Sequence, residues 1–157
     1  MMKKVLVLVL LGFVAVGCEM RSTPKMTPME IQSLQTRDFE SPKDIVFPSV
    51  VSVFQDIGYT ITSADIATGL IVAESTADSN FASKFWLGIS NVKQTKANAF
   101  VEEIGDMTKV RINFVNIQTT SDWYGQDDRQ DTQILDAEPY RNAFEKIENA
   151  IFVRSGS

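Results

Sequence analysis

Carboxylates are the side chains with the most chemistry to offer in this sequence. Asp122, Asp127, Asp128 and Asp131 fall close together, and carboxylates on a loop can hold Ca²⁺. The run Asp122-Trp-Tyr-Gly-Gln-Asp127 lacks the alternating ligands of an EF-hand loop, and no Glu stands at the twelfth position. A solvated loop is the plain reading, and no metal is expected. Glu102, Glu103 and Asp106 flank an expected hairpin turn. Paired carboxylates can hydrolyse glycosidic bonds, but spacing alone fixes no separation between these groups. Exposed hairpin charges are their ordinary reading. The chain has no His, which excludes His-dependent triads and His-ligated metals. No Gly-x-Ser-x-Gly motif and no Gly-rich phosphate loop is present. No cofactor is expected.

The remaining reactive side chain is Cys18, the single cysteine. Lys3 and Lys4 precede an apolar run from Val5 to Val16 that only Gly12 interrupts. The run is short for a membrane span and reads as a signal peptide. Ordinary secretory cleavage near Gly17 would leave a lone thiol with no second cysteine to pair with. An uncleaved anchor would call for a longer apolar run. The ending Ala15-Val16-Gly17-Cys18 resembles the lipobox of bacterial lipoproteins. The resemblance implies cleavage before Cys18, a diacylglyceryl thioether on its sulfur and an acyl chain such as palmitate on its new amine. Several chains on one residue give stable anchoring, because each buried methylene contributes roughly 0.8 kcal/mol. Glu19, rather than Asp, follows the cysteine, and the sorting habit of enteric lipoproteins then implies the outer membrane.

The sequence carries 15 basic and 20 acidic residues. Removing Lys3 and Lys4 with the leader takes the net charge from −5 to −7. So acidic a protein suits neither nucleic acid nor an anionic lipid surface held by charge alone. No nucleic-acid partner is expected.

The elements that would position any site follow from periodicity. Residues 1–17 are the leader and 18–32 a flexible tether carrying Pro24 and Pro28. A single α+β domain is expected over 33–153, with a frayed end at 154–157. Leu34 to Phe39 alternates as a strand. Ser41 is placed to cap a helix with Pro42 in its first turn, and Asp44 could return a bond to the cap. Ile45, Val46, Val50, Val53, Phe54 and Ile57 continue that helix at helical spacing, and Gly58 stops it. Pro48 interrupts its hydrogen bonding. Strands are expected at 59–63, 70–74, 98–103 and 109–118, with Gly69 at positive φ in the turn between the first two. Thr119 to Gln133 reads as a loop or an irregular hairpin. Asp136 caps the last helix, where Tyr140, Phe144, Ile147 and Ile151 form one apolar stripe. The sum is an antiparallel sheet of four to five strands, with two amphipathic helices packed on one face.

Glu40 to Ser75 reads ESPKDIVFPSVVSVFQDIGYTITSADIATGLIVAES. A polar cap, an amphipathic helix, Gly-aromatic, a β-branched strand, an acidic turn and Gly-Leu-Ile follow in order. This pattern is similar to the repeated domains of the lipoprotein C subunit of the outer-membrane β-barrel assembly machinery. It also resembles small bacterial lipoproteins of unknown function that share that domain, whose start and end look like Leu34–Phe39 and Tyr140–Phe152. The resemblance implies a helix-grip-like fold and carries no catalytic residue.

Between the expected strands at 70–74 and 98–103, Phe81, Phe85, Trp86 and Ile89 would share one face of a short helix. A flap packed on the sheet is the ordinary reading. An exposed patch meeting a partner or lipid headgroups is the functional one. The leading expectation is a non-enzymatic, lipid-anchored envelope protein at the periplasmic face of the outer membrane. It would attach to the membrane through Cys18 and serve as an accessory or partner-binding module for another envelope protein. The alternatives are a binder of a small apolar or lipid-like ligand and a carboxylate-dependent cell-wall hydrolase.

Overall fold

A computed structural model of the protein describes residues 26–76, 94–121 and 127–156. In chain order the elements are α1 (Pro28–Gln35), β1 (Thr36–Phe39), α2 (Lys43–Asp56), β2 (Thr60–Asp65), β3 (Leu70–Thr76), β4 (Gln94–Ile104), β5 (Met107–Ser121), β6 (Asp127–Gln133) and α3 (Ala137–Ser155). The strands make one antiparallel sheet in the order β1-β5-β4-β3-β2, and β6 also pairs with β5. The class is α+β. The described residues hold 6 strands rather than four to five, and three helices rather than two.

The extra helix is α1, which begins inside the stretch read as a tether. Thr27 explains it. Its hydroxyl accepts from the Glu30 amide at 3.3 Å, and the Glu30 carboxylate accepts from the Thr27 amide at 2.7 Å. This reciprocal box satisfies two orphan donors, and Pro28 suits the first helical position. Because α1 runs to Gln35, the first strand keeps only four residues.

Helix α2 also starts differently from the expectation. Pro42 is the N-cap, without a side-chain bond to the helix. Ser41 is turned toward the sheet, where its carbonyl accepts from the Thr108 hydroxyl at 2.6 Å. Pro48 sits within the helix. The carbonyl it leaves without its usual partner belongs to Asp44, which is exposed, so solvent can satisfy it. Gly58, at φ 91°, turns the chain out of the helix.

Between β2 and β3 the Asp65 carboxylate accepts from the Ala67 amide and the Thr68 hydroxyl, both at 2.9 Å. These bonds hold its carboxyl below the usual range, the Thr68 hydroxyl contributing most. Gly69 closes the turn at φ 78°. A side chain there would meet the Val101 carbonyl, so the position needs glycine twice over.

One set of alternate strand residues lies in the core. Ala73 faces Ala97, and Ala97 faces Phe114. The two alanines leave room for aromatic rings. Phe114 lies 6.4 Å from Phe54, 6.2 Å from Tyr59 and 5.1 Å from Tyr140, all tilted. Val46, Val50 and Val53 of α2 and Ala143, Phe144 and Ile147 of α3 complete the same cluster. The expected burial of Val53, Phe54, Phe144 and Ile147 is found. Asp136 caps α3 as expected, accepting from the Glu138 amide at 3.2 Å. Helix α3 runs through Ser155, past the expected start of the frayed end at 154. Arg154 ties it to α2, donating to the Ser52 hydroxyl at 2.7 Å.

Candidate functional site

Two strands share one edge of β5. β1 pairs with Thr108–Arg111, and β6 pairs with Val115–Ser121. Neither reaches Phe114. There the backbone of β5 is served by other groups. The Ile134 amide donates to the Phe114 carbonyl at 2.9 Å. The Phe114 amide donates to the Tyr140 hydroxyl at 3.3 Å, and that hydroxyl donates to the Ile134 carbonyl at 2.8 Å. Gln35, at the end of α1, reaches the same hydroxyl at 3.5 Å and the Asn113 side-chain oxygen at 3.4 Å. Gln133 donates to that oxygen at 3.0 Å. Burial raises the Tyr140 phenol, with the Gln35 and Phe114 donors opposing. The phenol is therefore protonated at neutral pH and acts as donor and acceptor at once. This arrangement joins α1, β5, β6 and α3 through one buried hydroxyl.

A cavity of about 180 Å³ adjoins this junction, with Thr36, Arg37, Tyr140 and Arg141 among its lining. The Arg37 guanidinium lies 5.0 Å from the Phe144 ring centre and 3.9 Å from the Glu148 carboxylate. A wider, open groove of about 380 Å³ lies at the start of α2, lined by Pro42, Lys43, Asp44, Ile66 and Glu103. On the sheet face away from the core, Leu70 stands opposite Phe100, and they are 51% and 39% exposed.

The residues singled out in the sequence fare unequally. Cys18 and the segment holding Phe81, Phe85, Trp86 and Ile89 lie outside the described residues. So does Asp122. Asp127, Asp128 and Asp131 fall on strand β6, which pairs with the end of β5, so of the two readings of 119–133 the hairpin is the one found. Glu102 and Glu103 are exposed neighbours opposite Lys109 and Thr108. Successive strand residues point to opposite faces, so this pair does not converge on one substrate. No group of three or more His, Cys, Asp or Glu among the described residues could hold a metal ion. No helix among them is long and apolar enough to cross a membrane. The junction around Tyr140 was not anticipated. Its hydrogen bonds span 6 to 105 positions in the chain, and local spacing carries no trace of it. The chain matches no protein-family model and no curated protein.

Proposed function

We propose that the protein is a lipid-anchored envelope protein whose domain faces the periplasm from the outer membrane. It serves there as a non-enzymatic accessory or partner-binding module. The observation that carries this reading is the leader itself: Lys3 and Lys4, the apolar run to Val16, and Ala15-Val16-Gly17-Cys18. The geometry is compatible with it. The first described helix starts at Pro28, and the chain between it and Cys18 can reach a few tens of ångströms at roughly 3.3 Å per residue. The exposed pair Leu70 and Phe100 offers apolar contact area. Phe81, Phe85, Trp86 and Ile89 are the further contact residues in this proposal.

Fractionation of cells tests it. The wild-type chain should sediment with the outer membrane and resist a high-salt wash. Cys18→Ser should leave unprocessed precursor or a soluble form. A Cys18→Ser protein that is processed normally and stays in the outer membrane would remove the basis of the proposal.

A further inference from the structure

At one end of the core the apolar lining gives way to a polar row. Ser75, Thr95 and Asn116 stand side by side on β3, β4 and β5, each opposite the next. They share the face of Ala73, Ala97 and Phe114. Ser75 is engaged, its hydroxyl donating to the Gly58 carbonyl at 2.8 Å. Next in the chain comes Tyr59, which is 4% exposed. Its ring lies 5.9 Å from Phe54 and 6.2 Å from Phe114, and the Thr95 side chain is near enough to its hydroxyl to oppose the effect of burial on the phenol. The Tyr59 hydroxyl is buried, and no group meets it at full hydrogen-bond geometry. The side-chain oxygen of Asn116 is in the same state. Two orphaned polar atoms therefore flank Thr95. Buried polar groups in folded proteins nearly always have a partner, so such a pair calls for one.

The chemistry of the partner follows from what the two atoms offer. Burial pushes the Tyr59 phenol well up, so it stays protonated and is available as a donor. The Asn116 oxygen only accepts. A group between them must accept from one and donate to the other. A carboxylate cannot donate and an ammonium cannot accept. A divalent cation would want anionic oxygens, which this row lacks. A hydroxyl does both.

We propose that Tyr59, Thr95 and Asn116 form an internal site for a single hydroxyl group, held between the Tyr59 phenol and the Asn116 side-chain oxygen. Water is one source of that group, as internal waters commonly bridge buried polar atoms. The hydroxyl end of a small organic molecule is the other. The site does not depend on Cys18 and stands whether or not the chain is acylated.

A high-resolution crystal structure of the full chain, with mass spectrometry of its organic extract, decides the matter. The expected result is density within about 3.2 Å of both the Tyr59 Oη and Asn116 Oδ1 atoms. A compact peak with no extracted compound identifies water, and elongated density with a co-purifying alcohol identifies a bound molecule. Tyr59→Phe keeps the ring and removes the donor, so the density should vanish in that variant. Tyr59 bonded directly to Asn116 or Thr95 with nothing between them would overturn the proposal. So would density that survives Tyr59→Phe unchanged.

Discussion

Tyr140→Phe removes one oxygen atom from the centre of the molecule and should cost much more than a surface change. The tyrosine is fully buried, and phenylalanine fills almost the same volume, so cavity formation contributes little. The loss is in hydrogen bonding. The Ile134 carbonyl loses its 2.8 Å donor, and the Phe114 amide loses its 3.3 Å acceptor. The Gln35 contact, at 3.5 Å, is too long to add much. An orphaned buried group costs about 1–3 kcal/mol, so the substitution should destabilise by about 2–3 kcal/mol. That is a sizeable share of the 5–15 kcal/mol typical of a whole domain. Urea unfolding followed by circular dichroism should show an earlier midpoint with an unchanged slope. Exchange of the Phe114 amide should accelerate by roughly 30-fold, the equivalent of about 2 kcal/mol. A loss under about 0.5 kcal/mol with unaltered Phe114 exchange would refute the idea that this hydroxyl clamps the β5 edge.

Phe144→Ala should destabilise by about 3–5 kcal/mol, since the ring is 2% exposed and packs against Phe39 and the Arg37 guanidinium; a shift of a few tenths in a urea melt would place it outside the core. Gly69→Ala should cost roughly 2 kcal/mol or more, because the added carbon meets the Val101 carbonyl, whereas Gly105→Ala, at φ 67° in open space, should cost about 1 kcal/mol. Equal losses in thermal melts would contradict the close approach at Gly69. Alkali should weaken the fold through Tyr59 and Tyr140, whose phenols burial raises. Below about pH 10 both states keep these protons and the contribution is whole; above it the unfolded chain releases them first, and stability falls by up to about 1.4 kcal/mol per pH unit per tyrosine. Urea midpoints that stay flat up to about pH 11 would exclude this linkage, and Tyr59→Phe should lessen the slope.

Helix α3 was legible because four large residues recur at helical spacing behind an Asp cap, and local pattern and tertiary burial agree there. The turn at Gly69 was legible for a similar reason, since an acidic turn residue and a glycine sit between two β-branched runs. Strand β6 was not. Asp127–Gln133 carries no hydrophobic alternation, because the residues described at its end are exposed and it is held by the β5 backbone. Helix α1 did carry a signal, Thr27-Pro-Met-Glu30, which is the capping-box pattern. The surrounding prolines and sparse apolar residues concealed it. Ser41 was misread as a cap because its carbonyl's partner, Thr108, is 67 positions away. The same separation problem hid the Tyr140 junction, which only the sheet order brings together.

Anchoring at Cys18 underlies the proposed function, and intact-mass analysis of the protein extracted from membranes is its sharpest test. The mature chain should begin at Cys18 and carry the mass of a diacylglyceryl group and one amide-linked acyl chain. Alkaline hydrolysis should then remove the two ester-linked chains and leave the thioether and the amide in place. A mature chain with an unmodified N-terminus, or one that retains Met1 to Gly17, would contradict it.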